Sequence, residues 1–316
     1  MKKIIESDGF IASLLLLIIL IFPIRSYAGT YAYIPNAGSN NVSVIRTSDN
    51  TVTATVPVGT TPIGVSVSPD GTKVYVANQN SNTISVISTI NNTVTATVLF
   101  NNPEGISASP DGAKIYVTNL SSDVSVIRTS DNTVTATVTV GNQPFPVSVS
   151  PDGTRVYVGN RGSNNVSVIR TSDNTVIATV PVGTTPYGVS ASPDGTKVYV
   201  ANNDSNNVSV IRTSDNTVTA TVTVGAYPFG VSTSPDGTKV YVANYGGNNV
   251  SVIRTSDNTV IATVPVGTQP YSLGNFIANV PEPSPAPIPT LSELTQVGLG
   301  IMTLGLLFWC QKRESV

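Results

Sequence analysis

Hydrophobic and polar positions alternate in short runs through most of the chain, and the runs come in four kinds that recur in a fixed order. The first kind, as at residues 64–68, is a small-and-apolar run that stops at Ser-Pro-Asp-Gly. That tetrapeptide predicts a tight turn, because Pro presets φ and Gly supplies the left-handed position. The second, as in Lys73–Asn78, is nearly all apolar, the pattern of a strand covered on both faces. The third, as at 42–46, leads into Thr-Ser-Asp-Asn, another tight turn. The fourth, as at 51–58, alternates Val or Ala with Thr. Pro57, Pro181 and Pro265 fall in this fourth run, and Pro is tolerated in a sheet only at an edge. The fourth strand is therefore the outer rim of each sheet and the first its inner edge.

The period is as informative as the pattern. Ser-Pro-Asp-Gly begins at Ser68, Ser109, Ser150, Ser192 and Ser234, and Val-Ser-Val-Ile at Val42, Val124, Val166, Val208 and Val250, with Ile84 opening the remaining copy. A repeat of about 40 residues made of four short strands is the signature of propeller blades. Second strands centre on Tyr33, Tyr75, Tyr116, Tyr157, Tyr199 and Tyr241, which is six, but clear first strands number five. The missing one is assigned to residues 272–278, so that a C-terminal inner strand completes the blade begun at Tyr31. The expectation is an all-β chain: a β-propeller of six four-stranded blades over residues 29–280, closed by an inner strand from the C-terminus. Closure removes open sheet edges.

Composition narrows the function classes. Lys and Arg number 16 against 18 Asp and Glu, for a net charge of −2, which argues against a nucleic-acid partner. There is no His, and the single Cys is Cys310. His- or Cys-ligated metal sites and His-activated nucleophiles are therefore not expected, and no cofactor is implied.

The termini read as export signals. Lys2 and Lys3 precede an apolar stretch at 10–24, and Ser26-Tyr27-Ala28 is a small-x-small cleavage site before Gly29, giving a signal peptide over 1–28. Glu6 and Asp8 are atypical of such a leader, and an uncleaved anchor is the alternative. At the other end, 281–290 is a Pro-rich linker. Residues 294–310 carry no charge, near the lower length limit for a membrane span, and Lys312 and Arg313 follow as a cytoplasmic end would require.

Two resemblances follow from quoted residues. Tyr116-Val-Thr-Asn119 is the signature of the YVTN β-propeller repeat, and Tyr75, Tyr157, Tyr199 and Tyr241 open close variants. Similar repeats occur in bacterial and archaeal cell-surface proteins and in some periplasmic oxidoreductase subunits. The tail over 288–316, with Ile288, Pro289, Thr290 and Leu291 ahead of Ser-Glu, a short span and a basic end, resembles an IPTL-CTERM sorting signal. That resemblance implies an exosortase-type processing enzyme as a partner and transient anchoring in the inner membrane. Val280-Pro-Glu-Pro-Ser284 looks like the related PEP-CTERM motif but stands far from the span, and Leu294 occupies the place of the usual Trp.

Propeller geometry sorts the loops onto two faces. The Ser-Pro-Asp-Gly and Thr-Ser-Asp-Asn turns share one, and turn chemistry accounts for their recurring Asp residues. The second-to-third loops and the Val-Gly-x-x-Pro links share the other, and there the copies differ: Asn36-Ala-Gly-Ser, Asn78-Gln-Asn-Ser, Asn160-Arg-Gly-Ser, Asn244-Tyr-Gly-Gly. Function often sits on variable loops of a rigid scaffold, and unconstrained drift gives the same pattern. After the link Pro stand Ile63, Glu104, Phe145, Tyr187, Phe229 and Tyr271, and Glu104 is the one Glu of the repeats. This ring at the channel mouth is the candidate binding site for protein, peptide or glycan, or else a plug that packs between blades. The leading expectation is a cell-surface or matrix binding module. The alternative is a periplasmic enzyme or oxidoreductase subunit without His or metal ligands, which the fold alone does not separate from it.

Overall fold

The computed structural model describes residues 30–46, 51–270 and 277–279. The chain divides into two compact units, residues 1–281 and 282–316, and the second lies outside the described residues, together with the predicted span at 294–310. Among the described residues no helix is long and apolar enough to cross a membrane.

The described residues form six four-stranded antiparallel sheets arranged as the blades of a β-propeller. Blade 1 is Thr30–Asn36, Asn41–Arg46 and Thr51–Pro57, with Ile277–Asn279 as its inner strand. Blade 2 runs, from inside out, through Pro62–Val67, Lys73–Asn78, Thr83–Ser88 and Thr93–Leu99. Blade 3 is Pro103–Ala108, Lys114–Asn119, Asp123–Arg128 and Thr133–Thr139, and blade 4 Pro144–Val149, Arg155–Asn160, Asn165–Arg170 and Thr175–Pro181. Blade 5 is Pro186–Ala191, Lys197–Asn202, Asn207–Arg212 and Thr217–Thr223, and blade 6 Pro228–Thr233, Lys239–Asn244, Asn249–Arg254 and Thr259–Pro265. The closing strand pairs Asn279, Ala278 and Ile277 with Thr30, Tyr31 and Ala32, as the count of first strands requires.

The burial pattern explains why each run has the composition it has. Val74, Val76 and Ala77 of a second strand are fully buried because both faces of the sheet meet neighbouring blades. The fourth strand packs by one face near its end, as Val56, Val138, Val180 and Val222 do, and shows its Thr residues to solvent. Most of the core is thus a set of clusters shared by two consecutive blades. In one, Tyr33, Val42, Val44 and Val56 of blade 1 meet Val65, Val74, Val76 and Ile87 of blade 2. Four more join blade 2 to 3, 3 to 4, 4 to 5 and 5 to 6.

The seam from blade 6 to blade 1 is different among the described residues. Val264 is 46% exposed, whereas its counterparts Val56, Val138, Val180 and Val222 lie at 2%, 6%, 4% and 7%, and Val98 is half-buried. Ala32 and Ile34 of blade 1 are half-buried, where Val74 and Val76 are closed off. Residues 271–276, which lead into the closing strand, lie outside the described residues.

Candidate functional site

The turn face is built by its own hydrogen bonds. Ser68 Oγ donates to Asp70 Oδ1 at 2.6 Å, and Thr72 N donates to the same oxygen at 3.0 Å. Gly71 takes φ 68°, a conformation that favours glycine. These hydrogen bonds hold the Asp70, Asp111, Asp152 and Asp194 carboxyls below the usual range, and that of Asp236 at about 2. In the outer turns Arg170 and Arg254 pair with Asp173 and Asp257 at 2.6 and 2.7 Å, and Arg212 pairs with Asp215 in the same way. These guanidiniums hold the three carboxyls at about 2. The pairs are half exposed, so they order the turn more than they stabilise the fold. Among the described residues the recurring Asp side chains are occupied by turn chemistry, as their sequence context implies. Among the described residues no three His, Cys, Asp or Glu side chains converge as a metal would need.

The opposite face carries the variable positions on a backbone held in an unusual shape. The residue before each link Pro has positive φ: Thr61 54°, Asn102 47°, Gln143 50°, Thr185 57°, Tyr227 52° and Gln269 54°. A β-branched or aromatic residue there is strained and persists only when its surroundings over-determine it. They do. The Thr185 N–H donates to Asn164 Oδ1 at 2.9 Å and its carbonyl accepts from Asn203 N at 3.0 Å. Tyr227 repeats both bonds with Asn206 and Tyr245, at 2.8 and 2.9 Å. Both bonds recur at Thr61, while Asn102 and Gln269 show the N–H bond and Gln143 the carbonyl bond, so link and loop are stitched together where the blades meet.

Five of the six predicted ring residues are described; Tyr271 is outside the described residues. Ile63 and Phe145, 5% and 4% exposed, share one apolar cluster with half-buried Tyr187 and Phe229. Ile63 belongs to blade 2 and Phe145 to blade 4, so side chains from non-adjacent blades meet and fill the channel at this level. Ile63 and Phe145 are thus closed off in this ring, while Tyr187 and Phe229 keep part of their surface exposed. Phe145 meets Tyr187 edge-on with centroids 5.1 Å apart, Tyr187 meets Phe229 at 4.1 Å, and Phe229 meets Tyr245 at 5.6 Å. Glu104 is 1% exposed. Its Oε1 accepts from Gln79 Nε2 at 2.7 Å, and its Oε2 is buried with no hydrogen-bond partner. Burial pushes this carboxyl up, partly offset by the Gln79 hydrogen bond and the nearby Arg161 charge.

A second tier of residues was not singled out by sequence. It lies one position beyond the Asn that ends each second strand: Gln79, Arg161, Asn203 and Tyr245, with Ala37 and Leu120 in the other two blades. Arg161 Nη1 donates to Tyr187 Oη at 2.9 Å and Nε to Gln143 Oε1 at 3.3 Å. Its guanidinium carbon lies 5.3 Å from the ring centroids of both Phe145 and Tyr187. Asn203 Nδ2 donates to Pro228 O at 3.2 Å. The signal was visible as loop variability, but only the folded ring shows that Gln79, Arg161 and Tyr245 reach the ring residues Glu104, Tyr187 and Phe229. The mouth is consequently lopsided: an aromatic arc on blades 4 to 6, and a buried carboxylate on blade 3.

The fold is a β-propeller, and comparisons place it among known ones. The family described as "Lactonase, 7-bladed beta-propeller" matches residues 106–223, which run from the inner strand of blade 3 to the outer strand of blade 5. A match confined to consecutive blades carries no count of the ring, which here is six. Comparison with curated protein sequences finds no match. Among solved structures, Kuenenia stuttgartiensis hydrazine synthase is similar at a TM-score of 0.67 and 21% identity, over 79% of this chain and 91% of that one. A functionally unknown protein from Desulfotomaculum acetoxidans DSM 771 is similar at 0.64 and 19%, over 80% and 89%. At such identities the likeness is one of fold. The predicted cleavage residues Ala28 and Gly29 and the sorting residues Ile288, Pro289, Thr290 and Leu291 lie outside the described residues.

Proposed function

We propose that this chain is an exported binding module of the cell surface or matrix, which engages a protein, peptide or glycan through the channel mouth on its variable face. One observation carries the reading. On a scaffold whose blades otherwise repeat, the residues that differ between blades converge on one place, and there they set half-buried aromatic rings beside a buried carboxylate with an unpartnered oxygen. Apolar surface with a few convergent polar groups is what a ligand site requires. Localisation in this reading rests on cleavage after Ala28 and on processing at Ile288 to Leu291. The test is capture on peptide and glycan arrays by the full-length chain, alongside Tyr187→Ala and Phe229→Ala variants that retain the wild-type melting temperature. Array signals that survive both substitutions would place the site elsewhere.

A second reading is catalytic, and the family match over residues 106–223 favours it. Glu104, buried and raised, would be its acid or base. Hydrolysis of lactones by the wild-type chain and its loss in Glu104→Gln would support that reading over simple binding.

A further inference from the structure

We infer that the channel mouth takes an uncharged saccharide, with a sugar ring stacked on the aromatic arc and a hydroxyl hydrogen-bonded to Glu104 Oε2. The inference rests on the binding reading above and names its ligand class.

The arc supplies the apolar half of such a site. Tyr187, Phe229 and Tyr245 are each half-buried, so each keeps an outward surface while touching its neighbour. Tyr227 stands beside them, 52% exposed, over Gly246; a Cβ at Gly246 would come within 2.4 Å of the Tyr227 ring. Phenol rings present an apolar face and a polar edge. A pyranose offers the complement, with axial C–H groups on a flat face and hydroxyls around its rim.

The carboxylate supplies the polar half. Buried polar groups are almost always paired, and one that is not calls for an explanation. Glu104 Oε2 is closed off from solvent, while Gln79 from the rim loop holds the other oxygen of the same group. A ligand hydroxyl would complete it.

Charge selects between ligand classes. Arg161 already lies against Phe145 and Tyr187, so an ammonium ligand at the arc would approach the protein's own cation. A second cation there would be repelled by Arg161, and an anion would meet Glu104. An uncharged ligand rich in hydroxyls meets neither penalty. It can use Gln79, Gln143 and Asn203, whose amides both donate and accept.

The experiment is calorimetric titration of the detergent-solubilised full-length chain with cellohexaose, chitohexaose and maltohexaose, set beside selection from a random peptide library. At least one saccharide is expected to bind. Tyr187→Ala and Phe229→Ala should each weaken it about tenfold, equivalent to about 1.4 kcal/mol. Glu104→Gln should weaken it less, because an amide still accepts, and Asp173→Asn on the opposite face should leave it unchanged. If no saccharide binds but the library yields peptides whose binding is lost in Tyr187→Ala, the ligand class is wrong and the mouth is still the site. If nothing binds, or if binding ignores Tyr187 and Phe229, both readings fall.

Discussion

Thr118 is the place where one hydroxyl can be weighed against the fold. In blades 2, 5 and 6 the inner strand pairs its glycine directly with a second-strand alanine, as Gly64 with Ala77, Gly188 with Ala201 and Gly230 with Ala243. In blade 3 the ladder skips from Pro103 to Ile106, leaving Glu104 and Gly105 outside it. The Thr118 hydroxyl fills the gap: it accepts from Gly105 N at 2.8 Å and donates to Phe145 O at 2.8 Å, joining the inner strands of blades 3 and 4. Thr118 is fully buried, so no solvent can replace those bonds. Valine keeps the shape and removes the hydroxyl. Each buried backbone group left unpaired costs about 1–3 kcal/mol, so Thr118→Val should lose about 2–4 kcal/mol after partial relaxation. At about 2–4 °C per kcal/mol for a domain of this size, the melting temperature should drop by about 5–15 °C. Thr118→Ser keeps the hydroxyl and should lose little more than its methyl contact. Calorimetric or circular-dichroism melts of wild type and of the Val, Ser and Ala variants decide it. If Thr118→Val and Thr118→Ala both melt within about 1 °C of wild type, blade 3 relaxes into the register of its neighbours and the bridging argument is wrong.

Gly159→Ala should destabilise by about 1–3 kcal/mol, because the new Cβ would sit 2.5 Å from Pro146 Cγ. Pro146→Gly in the same chain should restore most of the melting temperature, since the pair then matches Gly64 and Ala77; failure of that rescue would break the coupling. Burial raises the Glu104 carboxyl above 4.5, so its ionised form is disfavoured in the folded chain. That penalty is absent below the unfolded pKa and complete above the raised folded one, so stability falls as pH rises between them. Glu104→Gln should therefore melt higher than wild type at pH 7, with the gap closing as pH falls towards about 4; a gap that ignores pH would contradict this. Deleting residues 272–278 removes Ile277 and Ala278, the partners of Ala32 and Tyr31, and should lower the melting temperature and promote association, while trimming after Pro281 should change neither. Equal melts and monomers for both truncations would refute closure by that segment. Intact mass of protein from its native host should start at Gly29, and retention of Met1 would overturn the cleavage reading.

The sequence by itself determined the blade. Turn chemistry is local: Pro and Gly in Ser-Pro-Asp-Gly fix φ within the turn, and Asp70 bonds to residues two positions away, so the motif reports its own structure. Strand order within a blade was equally legible, because Pro57, Pro181 and Pro265 can lie only on an edge and the all-apolar second strand only between two faces. Even ring closure followed from one missing inner strand. What tertiary structure alone decided is which side chains meet across blades. Gln79 and Glu104 are separated by 25 positions, and Arg161 and Tyr187 by 26, and their bonds depend on the angle between neighbouring sheets. The same holds for Thr118, read in sequence as one letter of a repeat signature and found in the fold to be a bridge between two blades. A repeat dictates the unit through local backbone preference, whereas a site at its axis arises from departures among copies that only the closed ring brings within hydrogen-bond reach.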